Sequence, residues 1–122
     1  MYNIKMDKIT KVIDNYFEGV YTGNIGKLKS SFHPNTFLYG DIKGNEYIKS
    51  LDDYLEGVQN RKSPKELNEI DKMEIISVEI LGNTALAKVH LPMLGFNYYD
   101  FLSLVVIEGE WKIVNKVFTH VE

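Results

Sequence analysis

Midway along the chain the spacing of apolar residues changes from the 3.6-residue period of a helix to the two-residue period of a strand. In the first half, Ile9, Val12, Ile13, Tyr16, Phe17, Val20 and Tyr21 share one face of a helix predicted over residues 7–22. Asp7 is its expected N-cap and Gly23 its expected stop. A short second helix carries Ile25, Leu28 and Phe32 on one side and ends before Pro34, which disfavours helical backbone at His33. Phe37–Tyr39 and Tyr47–Ile48 read as a small hairpin about the turn-like segment 41–45. Ser50 caps a third helix with Leu51, Tyr54, Leu55 and Val58 on one face, and the polar stretch 60–69 is a loop.

The second half reads as hairpins. Ile70–Leu81 is a strand, and Gly82-Asn83 is a two-residue turn. Ala85, Ala87, Val89 and Leu91 then alternate with Thr84, Leu86, Lys88 and His90. Tyr98–Ile107 is nearly continuous in apolar residues, as a central strand is, and after Glu108-Gly109 the last strand runs over 110–120. Helices followed by antiparallel hairpins predict an α+β fold, three N-terminal helices packed on one face of a curved antiparallel sheet.

Composition narrows the functional classes. At 122 residues, with 44% hydrophobic and 25% charged, the chain matches one globular domain over residues 1–122. A chain of this size buries about two-thirds of its unfolded surface and needs no disulfide or metal to fold. It has no cysteine, which excludes thiol catalysis and thiolate zinc sites. The net charge is −3 and no basic block exists, so nucleic acid is not an expected partner. Lys27 with Lys29, and Lys62 with Lys65, read as solvated surface. No apolar run is long enough for a transmembrane helix, and the polar start lacks a signal-peptide core, so a cytoplasmic setting is expected. The three histidines have no metal-ligand spacing, so neither a metal nor a cofactor is expected.

Several stretches resemble a known family. They are Ile13-Asp14-Asn15-Tyr16-Phe17-Glu18-Gly19, Phe32-His33-Pro34, Ala85-Leu86-Ala87-Lys88-Val89, Tyr99-Asp100-Phe101-Leu102-Ser103-Leu104, and the run from Gly109-Glu110-Trp111 to Val117-Phe118. With the element order, they resemble the nuclear transport factor 2-like superfamily, and within it the putative lumazine-binding branch. The resemblance implies a cystatin-like cone, in which a strongly bent sheet wraps a long helix around a pocket. It also implies a homodimer formed through the outer face of the sheet, where Leu86, Val114 and Phe118 make the second face more apolar than solvent favours.

Within that frame Tyr16 matches the helix-one tyrosine with which related ketosteroid isomerases donate to a substrate oxyanion. Their base position falls here on Gly40, with Asp41 one residue away on the opposite strand face, which speaks against that reaction. His33 and Asp100 could form the base–orienter pair used by related dehydratases. Otherwise Tyr16 is a core tyrosine, His33 caps its helix, and Asp100 sits at an exposed strand end. On the last strand, Trp111, Ile113, Asn115 and Val117 are expected on one face, with Asn115 a polar amide among apolar neighbours that bonds either a ligand or nearby backbone. His90 is expected on the outer face and His120 near solvent.

The expected pocket is lined by Tyr16, Phe32, Tyr54, Phe96, Tyr98 and Trp111, with His33, Asp100 and Asn115 orienting the ligand. Its occupant would be a small apolar or aromatic molecule, lumazine- or pterin-like by the resemblance. The alternatives are a cofactor-independent proton-transfer enzyme of isomerase or dehydratase type, built on His33, Asp100 and Tyr16, and a dimeric interaction domain.

Overall fold

The computed structural model describes residues 2–122. Three helices, α1 (Tyr2–Thr22), α2 (Ile25–Ser31) and α3 (Leu51–Asn60), accompany six strands. The strands are β1 (Phe32–Ile42), β2 (Asn45–Ser50), β3 (Glu74–Leu81), β4 (Thr84–Met93), β5 (Phe96–Ile107) and β6 (Glu110–His120). They form one sheet in the order β2-β1-β6-β5-β4-β3. Every junction is antiparallel except β1–β6, which is parallel. That parallel contact joins the first strand to the last, and the three helices, α1 and α2 before β1 and α3 between β2 and β3, close over the concave face. Among the described residues no helix is long and apolar enough to cross a membrane.

The core follows the helical periodicity. Ile9, Ile13, Tyr16, Phe17 and Val20 of α1 are buried against Leu102, Leu104 and Ile113 of the central strands. Gly19 permits the close approach of α2, since a Cβ there would lie 2.8 Å from the Leu28 side chain. Asn15 ties the same two helices together, its amide donating to the Lys27 carbonyl and to the Ser30 and Ser31 hydroxyls. Asn24 caps α2 by accepting from Lys27 N–H, and Ser50 caps α3 by accepting from Asp53 N–H.

Three boundaries depart from expectation. The first helix starts at Tyr2, so Asp7 lies inside it and is not a cap; nothing in residues 3–6 interrupts helical backbone. The strand expected from Ile70 begins at Glu74, because the Asp71 carboxylate accepts Met73 N–H and holds the chain in a turn. The third concerns β6. Ile113 pairs with Leu104 and Asn115 with Ser103, so Val114 is an extra residue on β6. The bulge inverts the alternation beyond it. Trp111 and Ile113 face the core, but so do Lys116 and Phe118, while Asn115 and Val117 turn to the other face. The expected common face of Trp111, Ile113, Asn115 and Val117 is therefore broken, and Phe118 leaves the outer face assigned to it.

Candidate functional site

A cluster of polar groups lies where α1, α3, β5 and β6 meet. Asp100 sits on β5 between Val89 and Phe118 in register and is 1% exposed. Tyr16 reaches it from the buried face of α1, its hydroxyl donating to Oδ2 at 2.6 Å. Lys116, turned inward by the bulge, places Nζ 3.8 Å from the same oxygen. The Lys116 ammonium also lies over three rings, 4.6 Å from the Tyr54 centroid, 5.0 Å from Phe118 and 5.2 Å from Tyr16. Hydrocarbon and π faces replace water around a cation whose partner is a buried carboxylate.

The surroundings shift the acids. Burial raises the Asp100 carboxyl above its usual range, and Lys116 and the Tyr16 hydroxyl pull it back only in part. Burial, reinforced by the Asp100 charge, holds the Tyr16 phenol well above its ordinary value. Burial also pushes Tyr47 up to about 12 and raises Tyr98. No described residue donates to Asp100 Oδ1, so that oxygen retains its lone pairs.

Asp100 and Lys116 open onto a cavity of about 60 Å³. Tyr47, Tyr54, Tyr98 and Phe118 supply aromatic walls, Ile42, Leu91 and Met93 aliphatic ones, and Arg61 a second cation. Edge-to-face contacts of Phe118 with Tyr47 and Tyr98, at 4.9 and 5.9 Å between centroids, fix these rings.

Of the residues expected to bind a ligand, Tyr54, Tyr98 and Asp100 line this cavity and Tyr16 bonds to Asp100 behind it. Phe32 supports them from the core, its ring edge-on to Tyr16 and Tyr54. The rest are dispersed. His33 lines a separate surface depression with Lys29, Pro34 and Glu108, and its Nδ1 accepts Asn35 N–H. It is therefore not brought beside Asp100 as a base–orienter pair; the Asp100 partners are Tyr16 and Lys116. Trp111 borders a depression with Lys8 and Lys11. Asn115 donates to the Phe37 carbonyl on the outer face, where the bulge has put it. Phe96 stacks on Tyr98 outside the cavity. His120 is largely covered, accepting Asn97 N–H beside Phe96.

Lys116 and Arg61 are not among the site residues expected from the sequence. Lys116 has no local signal, because its inward direction depends on the bulge. Arg61 had one: it is the only arginine among fourteen basic residues. Gly40 is also explained. A Cβ there would come within 2.5 Å of the Phe118 ring, so the place of the isomerase base is filled by that ring. Among the described residues no group of three or more metal-ligating side chains assembles.

The profile of a family described as putative lumazine-binding matches residues 5–119. The aldolase FrzH of a Cladobotryum species is 31% identical over 108 residues, spanning 84% of this chain and 81% of that protein. Among solved structures, a nuclear transport factor 2-like protein from Silicibacter pomeroyi superimposes with a TM-score of 0.90 at 21% identity, covering 99% of both chains. One from Methylobacillus flagellatus gives 0.85 at 24% identity, over 96% of this chain and 92% of that one. The CaMKII hub of S. rosetta gives 0.70 at 16% identity, over 94% and 95%. These likenesses establish the cone fold.

Proposed function

This chain belongs to the putative lumazine-binding family of nuclear transport factor 2-like folds, and from that premise we propose that its cone pocket binds a small carbonyl compound and moves a proton on it without a cofactor. The observation that carries the proposal is the buried Tyr16–Asp100–Lys116 cluster opening on a cavity. Asp100 is the base. Its carboxyl, raised by burial, is better matched to proton transfer near neutrality than an ordinary aspartate. Oδ1 accepts the proton from the carbon beside the carbonyl, while Oδ2 stays held by Tyr16. The electron pair moves to the carbonyl oxygen, and the Lys116 ammonium stabilises the enolate formed there. Delivery of the proton from Asp100 to a different carbon of the enolate completes an isomerisation, and attack by the enolate on a second carbonyl, with the Asp100 proton passed to the alkoxide so formed, completes an aldol addition. A relative named an aldolase supports this class of reaction. A cavity of about 60 Å³ favours a compact substrate over a pterin-like bicycle.

The test is exchange of α-hydrogens of acetylacetone and cyclohexanone into deuterated water, followed by NMR. The wild-type protein should accelerate exchange, and Asp100→Asn should lose about 10²–10⁴-fold of that acceleration. Equal exchange by a folded Asp100→Asn variant would remove Asp100 from the role.

A second reading, of assembly, rests on the outer face. Tyr39, Val117 and Phe101 are neighbours across β1, β6 and β5, and each is 44–45% exposed. Phe37 and Leu86 extend this apolar band. We propose that a second copy of the chain covers it. Light scattering at micromolar concentration should give twice the chain mass, and a monomer would sink the idea.

A further inference from the structure

Arg61 is the C-cap residue of α3, in extended backbone just past the last helical turn, and it lines the cavity with Tyr54, Asp100 and Lys116. Its Nε and Nη2 are both withdrawn from solvent, and neither has a hydrogen-bond partner among the described residues. The hydroxyl of Tyr54, a residue only 5% exposed, is buried and unpartnered in the same way. Folded proteins rarely leave such groups unpaired, and an unmatched guanidinium edge is among the costlier cases. Three orphaned groups on one cavity mark a place for acceptor oxygens.

The identity of the orphaned atoms narrows the acceptor. Nε and Nη2 form the side edge of the planar guanidinium, where two N–H bonds run parallel. That edge matches the two oxygens of a carboxylate, which a lysine ammonium, as a point charge, does not do. Charge agrees with shape. Arg61 and Lys116 face Asp100 alone, so the lining keeps a positive excess even when Asp100 is ionised. A bound monoanion balances it. The space is small, a cavity of about 60 Å³. A short chain fits and an extended one does not.

We infer that Arg61 and Tyr54 anchor the carboxylate of a short oxo acid, whose carbonyl end lies toward Asp100 and Lys116. The placement of the carbonyl end rests on the proton-transfer reading above; the anchor itself rests on the unpaired donors. Arg61 and Tyr54 are then binding residues that select anionic substrates and set their direction in the pocket.

Calorimetric titration of the full chain with acetoacetate, 2-oxobutyrate and 4-oxopentanoate, each beside its neutral amide, tests the anchor. The acids should bind about tenfold or more tightly than the amides. Arg61→Lys, which keeps the charge but loses the fork, should lose about tenfold in acid affinity and distinctly less in amide affinity. Tyr54→Phe should lose less. The comparison of acids with amides needs only the wild-type protein, so it stands even if a variant fails to fold. Equal affinity for acids and amides, undiminished acid binding by Arg61→Lys, or no binding of any acid at millimolar concentration would each overturn the inference. Hydrogen exchange separates the two readings. Acid binding through Arg61 without exchange keeps the anchor and removes the base. Asp100-dependent exchange that is no better for acids than for neutral ketones does the reverse.

Discussion

The Tyr16 hydroxyl donates to Asp100 Oδ2 at 2.6 Å, and that one bond ties the first helix to the central strand across 84 residues of sequence. Both side chains are almost wholly buried, so neither finds water in exchange. A hydrogen bond to a charged group contributes about 1.5–3 kcal/mol. Tyr16→Phe should destabilise the fold by that order in urea titration. It should also move the Asp100 carboxyl further up, because the lost hydrogen bond opposed the effect of burial.

Lys116 and Asp100 should behave as a unit. Lys116→Met leaves a buried carboxylate without its cation, a change that costs about 3–5 kcal/mol where such pairs are broken. Adding Asp100→Asn removes the uncompensated charge. The double variant should then be more stable than the sum of the single losses predicts, by denaturant titration. Strict additivity would show that the 3.8 Å approach carries no energetic coupling.

The raised Asp100 carboxyl fixes the sign of a pH dependence. Its folded value lies above the unfolded one, near 3.8, so the folded state holds the proton more tightly. The stability it contributes is fully present below that unfolded value and is lost as pH rises through the folded value. The stability of wild type minus that of Asp100→Asn should therefore fall as pH rises from about 3.8, then level off. A difference that grows with pH would contradict the environment described for Asp100.

Alkali should act through the tyrosines. Tyr47 ionises near pH 10 in the unfolded chain and near 12 in the folded one. Burial also holds Tyr16 well above its ordinary value. Their contribution is present below pH 10 and is lost as pH climbs through the folded values. Ultraviolet titration should show Tyr16 ionising only with unfolding, and a Tyr16→Phe variant should lose that late step.

Gly40 is closed to an acid. Gly40→Asp drives a side chain into the Phe118 ring and should cost at least the 1–3 kcal/mol or so typical of overpacking. Phe118→Ala in the same chain should recover part of the loss. A Gly40→Asp variant as stable as wild type would show that the ring yields easily.

Much of the fold was legible because local patterns and burial agree. The apolar stripe of α1, the cap at Ser50 and the hairpins at 82–83 and 108–109 each depend on near neighbours in the chain. The site was legible only in part. Tyr16, Tyr54, Tyr98 and Asp100 stood out as polar or aromatic groups on predicted inner faces, and the structure does bring them around one cavity. His33, Trp111 and Asn115 stood out by the same logic and lie elsewhere.

The chain's own sequence determined which segments become helix or strand and which faces seek the core, since periodicity acts over a few residues. Tertiary structure alone decided who meets Asp100. One bulged residue, Val114, sends Lys116 inward and Asn115 outward. The exit of α3 delivers the lone arginine to the same cavity. A two-residue alternation has no memory of an inserted residue until the partner strand fixes the register, and so the chemistry of the pocket becomes definite only once β5 and β6 pair.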